Sequence, residues 1–390
     1  MMKPMQPRAT TLTETERALA RAVLIHGPIS RAALTDRLAL SPPSLTRLAK
    51  PFLDHGLMVE VEDRSGSIGR PARPLDVAPD LASFAGVKLT GDTMHVVATD
   101  VRANLVAREV RPLTSAEPTQ VAGEVAAAVR ALGRNDLAAV GVSLGGTVRE
   151  RRVEYAPFLG WQDVPFADLL EAELGIPVVL ENDLVALAEA ERWFGLGRDI
   201  PGFVVLTIGA GIGYALVVHG EVVPSPDAGV GLGGHIPLSA TGPICQDGHR
   251  GCAQAMLTSG SIAAQVSGAL QRAVGYEEVL ALAVAGDPAA TTVVGSAADA
   301  LGRFIGLAAN LTLQPAVVLA GEGIGLFSVA EERVRDALAE SRDPRAVEVK
   351  LYVDDSGFTA WARGAAAVAI QDAFDHIRFD GPPRGLVAGV

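Results

Sequence analysis

The first part of the chain places apolar residues at the three- and four-residue spacing of amphipathic helices, interrupted by Gly-Pro and Ser-Pro pairs. Serine or threonine stands at each predicted helix start, where its hydroxyl can accept a backbone N–H of the first turn. Thr13 is followed by Glu16 at the spacing of a capping box. The predicted helices span Thr13 to about His26, Ser30 to Leu38, and Ser41 to about His55.

After the third helix the pattern changes to that of a two-stranded hairpin. Residues 57–62 alternate as a strand, Arg64–Ser67 predicts a turn, and Leu75–Val77 predicts the returning strand. Three helices and a hairpin predict a winged helix-turn-helix over residues 1–80. Its third helix would present an exposed face to a DNA major groove. The alternative is a small helical packing module with ordinary solvated charges.

The polar face of the third helix and the basic end of the wing supply candidate DNA contacts. The cations suit phosphate oxygens, while the hydroxyls are nearer to base edges. In the wing, Arg70 and Arg73 can reach phosphates or a minor groove, and a proline-stiffened linker is the alternative there. The full candidate set is Ser41, Ser44, Thr46, Arg47, Lys50, Arg70 and Arg73.

From Phe84 onward, apolar runs of strand length alternate with helical spacing, which is typical of an α/β protein. The predicted strands cover residues 84–89, 94–100, 105–110, 138–143, 177–180, 203–208, 213–219 and 316–320. The predicted helices cover 121–132 and 183–194, with further alanine-rich helices over 253–311. We therefore expect a two-lobed α/β body over residues 81–390.

Charge differs between the two predicted domains. Residues 1–80 carry 11 Lys and Arg against 9 Asp and Glu, a net charge of +2, whereas residues 81–390 carry 22 against 36, a net charge of −14. An acidic body disfavours general adhesion to nucleic acid, so only the head is expected to bind DNA. The longest apolar stretch, Phe203–Val218, is interrupted by glycines. No membrane span or signal peptide is predicted, and the expected location is the cytoplasm.

Four motifs follow one another along the body: Leu180-Glu181-Asn182-Asp183, Thr207–Gly213, Gly234-His235 with Cys245, Gly248, Gly251 and Cys252, and Val317–Gly323. In this order, behind a helix-turn-helix, they resemble the ROK (repressor, open reading frame, kinase) family. That family unites bacterial sugar kinases and sugar-responsive repressors on an actin-like, two-lobed fold. The resemblance implies a sugar-binding segment, a second phosphate loop, a zinc segment and a loop near the adenosine.

The resemblance implies that Asn182 and Asp183 bind a sugar, the aspartate being the base of a family kinase. The same two residues suit a helix N-cap, and both roles are compatible. His235 is the third sugar contact that remains, because Leu232 and Gln254 replace two glutamates of the family pattern. We therefore expect altered effector specificity, with a different sugar, a sugar derivative or no sugar.

The segment that holds phosphate and metal in family kinases departs further from the family pattern. Family kinases open the body with an acidic residue and a Gly-Gly-Thr turn, where this chain has Gly86–Thr93. Lys88 stands about where the acid belongs, and lysine cannot ligate Mg²⁺; Asp92 has the wrong spacing to substitute. The glycines of Gly209–Gly213 allow backbone amides to approach a phosphate, or simply form a tight turn. We expect neither useful ATP binding nor kinase activity.

The zinc segment of family repressors has a histidine and three cysteines at relative positions 0, 10, 12 and 17. This chain has His235, Cys245, Asp247 and Cys252 at those positions. Aspartate can ligate zinc through oxygen, so we predict a structural Zn²⁺ site formed by these four residues. The alternative is a lost site with two free thiols.

These inferences predict a transcriptional repressor of carbohydrate genes, a homodimer or a higher homo-oligomer, whose heads bind two half-sites of a double-stranded operator. A sugar-type effector between the lobes would change operator affinity. Two alternatives remain: an active ATP-dependent sugar kinase with an appended head, and a regulator controlled by a partner protein.

Overall fold

The structure, a computed structural model, describes residues 12–62, 73–377 and 379. It confirms the predicted fold class, a helix-turn-helix head followed by a two-lobed α/β body. The density of contacts divides the chain into two compact units. Unit 1 comprises residues 1–144, 148–181 and 362–390, and unit 2 comprises 145–147 and 182–361. Since the head belongs to unit 1, the domain boundary at residue 80 stays a prediction.

The head has three helices and an antiparallel strand pair, close to the predicted bounds. Its elements are α1 (Glu14–His26), α2 (Arg31–Leu38), α3 (Pro42–Asp54), β1 (Met58–Glu60) and β2 (Leu75–Val77). Thr13, Ser30 and Ser41 each cap a helix as predicted, Thr13 within a full capping box. The predicted turn at Arg64–Ser67 and the candidate contact Arg70 lie outside the described residues.

Unit 1 contains a five-stranded sheet in the order β10-β6-β3-β4-β5. Its strands are β3 (Ser83–Leu89), β4 (Thr93–Thr99), β5 (Leu105–Pro112), β6 (Leu137–Leu144) and β10 (Val178–Asn182). A three-stranded sheet consists of β7 (Thr147–Arg149), β8 (Arg152–Ala156) and β9 (Trp161–Val164). The helices are α4 (Pro118–Ala131), α5 (Phe166–Leu174) and α12 (Phe358–Asp375), the last two of which the sequence pattern did not predict.

Helix α12 lies directly on the backbone of two neighbouring strands. Gly86 of β3 pairs in register with Gly141 of β6. A Cβ atom on Gly141 would lie 1.8 Å from the carbonyl oxygen of Ala365, and one on Gly86 would lie 2.0 Å from that of Ala362. These distances leave no room for a side chain, so glycine is required by the close approach of helix and sheet.

Arg102, in the turn between β4 and β5, attaches the head to this sheet. Its Nε donates to the carbonyl oxygen of Leu24 at 2.9 Å and its Nη2 to that of Val23 at 3.3 Å. The same guanidinium forms an ion pair with Asp76 of β2. Arg102 therefore supplies a partner to the carbonyl oxygen of Leu24, because Pro28, four residues later, has no N–H to donate. The carbonyl oxygen of Val23 also accepts the N–H of Gly27 at 2.9 Å.

Unit 2 contains a second five-stranded sheet, in the order β13-β12-β11-β14-β15. Its strands are β11 (Phe203–Ile208), β12 (Ile212–Val218), β13 (Glu221–Val222), β14 (Ala316–Ala320) and β15 (Lys350–Val353). Its helices are α6 (Asp183–Phe194), α7 (Ala253–Leu257), α8 (Ser259–Leu270), α9 (Tyr276–Val284), α10 (Pro288–Thr312) and α11 (Gly325–Glu340), with a 3₁₀ helix at Leu232–His235.

Among the described residues, α10 is the one helix whose length and composition would allow it to cross a membrane. However, 67% of the most apolar 18-residue segment of this helix is buried inside the protein. Leu301, Phe304 and Ile305 of this helix lie in the main core of unit 2. Its apolar character is therefore accounted for by packing within the unit.

Candidate functional sites

The candidate DNA-binding surface is the outer face of α3. Leu45, Ala49 and Phe52 face inward and are fully buried in the head. On the opposite face, Arg47 and Lys50 are exposed. Of the candidate hydroxyl residues of this helix and its cap, Ser41 and Thr46 are exposed and Ser44 is partly buried. This one-sided burial leaves the polar face of α3 accessible, as a recognition helix requires.

The candidate cations differ in their intramolecular partners. Lys50 forms an ion pair with Asp54 one turn later, with 2.8 Å between Nζ and Oδ2. Arg73 lies 3.3 Å from Glu60, which also accepts a hydrogen bond from Arg31 at 2.8 Å. The bond from Arg31, followed by that from Arg73, holds the pKa of Glu60 below its usual range despite partial desolvation. Arg47 forms no ion pair within the part of the chain that the structure describes.

The hydroxyl groups at the start of α3 also serve the helix itself. Ser41 Oγ accepts the N–H of Ser44 at 3.4 Å and lies 2.9 Å from Ser44 Oγ. Thr46 Oγ1 donates to the carbonyl oxygen of Pro42 at 3.0 Å. A hydroxyl that donates one bond keeps acceptor capacity, so these groups can still accept from base amino groups.

The predicted sugar segment lies at the junction of β10 and α6. Asn182 is buried and caps α6: its Oδ1 accepts the N–H groups of Leu184 and Val185 at 3.0 and 3.2 Å. Its Nδ2 donates to the carbonyl oxygen of Gly146 at 2.9 Å and to Asp183 at 3.3 Å. Both donors and both acceptor positions of this amide therefore have protein partners, so its clearest role is to fix the position of Asp183.

The loop before the 3₁₀ helix packs against this cap. Gly229 has a φ of +89°, and a Cβ there would lie 1.9 Å from the carbonyl oxygen of Gly146. The chain then continues to His235, whose ring is partly exposed. Leu232, at the position of a family glutamate, is 64% exposed, and Gln254 lies beside Gly234. These two side chains offer no carboxylate to a sugar hydroxyl.

The segment Gly86–Thr93 stands where family kinases hold phosphate and metal. Its Lys88 is buried on β3 at 6% exposure, and His95 is the residue opposite it on β4. Burial, followed by the positive charge of Lys88, lowers the pKa of His95. Asp92 accepts hydrogen bonds from the hydroxyls of Thr90 and Thr93, each at 3.1 Å, within the β3–β4 turn. The side chains of the β3–β4 turn therefore hydrogen-bond to one another.

The second phosphate loop is the tight turn of the β11–β12 hairpin, and the side chain of Glu322 covers it. Ile208 pairs with Ile212 on either side of the glycines. The N–H of Ala210 donates to Glu322 Oε1 at 2.6 Å, and a Cβ on Gly209 would lie 2.1 Å from the Glu322 carboxyl carbon. A carboxylate thus accepts from a backbone amide that would otherwise be available to a phosphate oxygen.

The candidate metal centre brings together three of the four predicted ligands. His235, Cys245 and Cys252 place their ligand atoms within 4.8 Å of one another. Two sulfurs and an imidazole nitrogen are donors that Zn²⁺ prefers, so the residues fit this ion. Cys252 is buried, and burial is the main cause that raises the pKa of its thiol. The fourth predicted ligand, Asp247, lies beside the ring of His235, 3.5 Å from its Nε2.

Sequence reasoning missed two residues at these sites. Glu322 interrupts the glycines of Gly321–Gly323, and that interruption was the available signal for a filled loop. His249 follows Cys245 by four residues, and its Nδ1 lies 3.6 Å from Cys245 Sγ. A histidine so close to a predicted ligand could have been weighed as a further donor.

The fold and these sites define a class of protein that joins a helix-turn-helix head to a sugar-kinase-like α/β body. The chain belongs to the ROK family, which matches residues 84–372. The family contains both regulators and kinases, and both are found among the relatives of this chain.

Two relatives illustrate this division. The chain is 26% identical over 328 residues to the DNA-binding transcriptional dual regulator NagC of Escherichia coli, covering 78% of this chain and 79% of NagC. It is 30% identical over 226 residues to a glucokinase of Thermotoga maritima, covering 52% of this chain and 70% of the glucokinase. The match to the regulator thus extends over more of this chain.

Among solved structures, the chain is similar to a ROK family transcriptional regulator described as a homologue of the Escherichia coli MLC protein. The TM-score is 0.77 at 22% identity, covering 93% of this chain and 97% of that one. At 22% identity, this similarity shows that the two chains share a fold.

Proposed function

We propose that this protein is a cytoplasmic, homodimeric DNA-binding regulator, acting as a repressor, of genes for carbohydrate uptake or metabolism. The observation that carries the proposal is the exposed polar face of α3, with Arg47 and Lys50, ahead of a ROK body. A sugar kinase has no need of such a surface. A net charge of +2 on the head and −14 on the body favours DNA binding through the head alone.

A sugar or sugar derivative would act as the effector, with Asp183 and His235 as its main polar contacts. Asn182 supports this role indirectly, because its cap holds Asp183 at the start of α6. Leu232 and Gln254 would exclude sugars that depend on carboxylates at those two positions. The effector would change operator affinity by favouring one of two states of the protein.

The test combines selection of bound genomic DNA with operator binding in the presence of hexoses, pentoses and their amino and phosphorylated derivatives. We expect one sugar class to change operator affinity by about 5- to 150-fold, the usual range of allosteric coupling. Asp183→Asn should abolish this response while keeping sugar-free operator affinity. Asp183-dependent phosphorylation of a sugar would instead favour the kinase alternative, and no response to any sugar would favour a protein partner.

Loss of kinase activity is the second part of the proposal. Lys88 supplies a cation where a Mg²⁺ ligand belongs, and Glu322 supplies an anion where phosphates would lie. Both changes oppose binding of MgATP: the first removes a metal ligand and the second adds like charge.

Glu322→Gly is therefore expected to raise the affinity for MgATP by at least about fivefold, since one like charge at close range contributes about 1–4 kcal/mol. Calorimetric titration of the full chain measures this. Glu322→Gln, which removes the charge but keeps the bulk, should give an intermediate affinity. Lys88 remains in these variants, so neither should phosphorylate sugars. Equal MgATP affinity in the wild type and in Glu322→Gly would contradict the role of this side chain.

A further inference from the structure

The segment from Cys245 to His249 is a tight turn that brings its two ends together. The N–H of Cys245 donates to the carbonyl oxygen of His249 at 2.9 Å, and the N–H of Gly248 donates to that of Cys245 at 3.0 Å. Ile244 and Arg250 form an antiparallel bridge on the outer side of the turn. Residues 245 and 249 are therefore opposite each other, and opposite residues of an antiparallel pair project to the same side.

The side chain of His249 points into the cluster of metal donors. Its Nδ1 lies 3.1 Å from His235 Nδ1 and 3.6 Å from Cys245 Sγ. Two ligands of one tetrahedral zinc ion lie about 3.3 Å apart when both are nitrogen and about 3.5 Å apart for nitrogen and sulfur, from the usual bond lengths. These two separations match those of ligands that share an ion. His249 is not one of the three residues whose donor atoms all lie within 4.8 Å of one another, so its binding as a fourth ligand requires its ring to move closer to Cys252.

Asp247 occupies a different place around His235. The ring of His235 directs Nδ1 towards Cys245, at 3.9 Å, and towards His249, whereas Asp247 Oδ2 is near Nε2. The two nitrogens of an imidazole project to different sides of the ring. A carboxylate beside Nε2 cannot share an ion bound by Nδ1, but it can orient the ring of a ligating histidine.

We propose that His249 is the fourth zinc ligand, which gives a donor set of His235, Cys245, His249 and Cys252, and that Asp247 is a positioning residue outside it. Two thiolates and two imidazoles form one of the established structural zinc sets. The loss of a cysteine at position 247 is thereby compensated two residues further along the same turn. This proposal does not depend on the DNA-binding function, because it concerns a structural ion.

X-ray absorption at the zinc edge of the full-length, zinc-loaded protein tests the donor set directly. We expect two sulfur and two imidazole neighbours in the wild type. One imidazole together with a carboxylate oxygen, or no stoichiometric zinc after loading, would overturn the proposal. The second result would also favour a simple hydrogen bond between His235 and His249.

Three variants distinguish a ligand from a positioning residue without relying on DNA binding. His249→Ala should lose one imidazole and bind zinc at least about 100-fold more weakly in competition with a chelator, while His249→Cys should retain zinc with three sulfur neighbours. Asp247→Asn should keep the wild-type set of zinc neighbours and lose about 10- to 100-fold in affinity, as is typical when a hydrogen-bond partner of a ligand is changed. An unchanged set of zinc neighbours in His249→Ala, or an altered one in Asp247→Asn, contradicts the assignment.

Discussion

Gly141→Ala is expected to lower the free energy of unfolding of unit 1 by about 3 kcal/mol, near the upper end of the usual cost of overpacking. The added Cβ would lie 1.8 Å from the carbonyl oxygen of Ala365 in α12. That oxygen is a backbone atom, so relief requires a shift of the whole helix away from β6. Calorimetry of the full chain should show the corresponding transition roughly 6–12 °C lower.

Gly123→Ala is the matched control within the same unit. Gly123 lies in α4, and its added Cβ would have no neighbour within 4 Å. Alanine there should stabilise the helix by about 0.5–1 kcal/mol. Gly86→Ala should resemble Gly141→Ala. The double variant should cost less than the sum, because one shift of α12 away from the sheet relieves the clashes with both Ala362 and Ala365. If Gly141→Ala unfolds at the wild-type midpoint, α12 does not lie against β6 as described.

The head was predictable because its signals are local. Each helix start depends on a hydroxyl and an N–H within three residues of it, and the caps at Thr13, Ser30 and Ser41 are all present as predicted. The buried strands β3, β11 and β14 were predictable for a similar reason, since fully buried strands appear as short apolar runs. The edge strands β13 and β15 of the second sheet lack such a run and were not predicted.

The features that the sequence did not reveal depend on contacts between distant segments. Gly141 belongs to a strand-forming apolar run, and its requirement for glycine arises from a helix more than 200 residues later. Glu322 reaches the N–H of Ala210 in the β11–β12 turn across 112 positions in the chain. Helix α12 has buried residues around most of its circumference, which removes the amphipathic periodicity that would have predicted it.

The sugar segment shows that one pattern can serve two purposes. The Asn-Asp pair was expected to bind sugar or to cap a helix, and the structure contains the cap. Asn182 caps α6 through its amide oxygen, and Asp183 Oδ1, at the first position of α6, accepts the N–H of Leu184 at 2.9 Å. Both side chains of the motif are therefore used at the start of the helix, and their part in sugar binding stays a prediction.

Arg47→Ala combined with Lys50→Ala is expected to weaken operator binding by at least about 100-fold at physiological salt. Arg47 has no competing ion pair among the described residues, and Lys50 has only an exposed pair with Asp54, which is worth little in water. Both cations are thus available to phosphates. Since each phosphate contact contributes about 0.9 to the slope of log K against log salt, the double variant should also bind with a visibly shallower slope.

Replacement of two exposed arginines elsewhere separates this effect from general charge loss. Arg335→Ala with Arg345→Ala removes the same charge from unit 2, where both arginines form exposed ion pairs, and should leave operator affinity within about threefold. The thermal midpoint of both double variants should match the wild type, because exposed substitutions of this kind usually change stability by less than about 0.5 kcal/mol.

If the Arg47→Ala, Lys50→Ala variant loses affinity equally for all DNA sequences, the two cations contact phosphates. If it changes which operators are preferred, at least one of them contacts a base edge. Unchanged affinity and an unchanged salt slope would mean that α3 is not the DNA-binding helix.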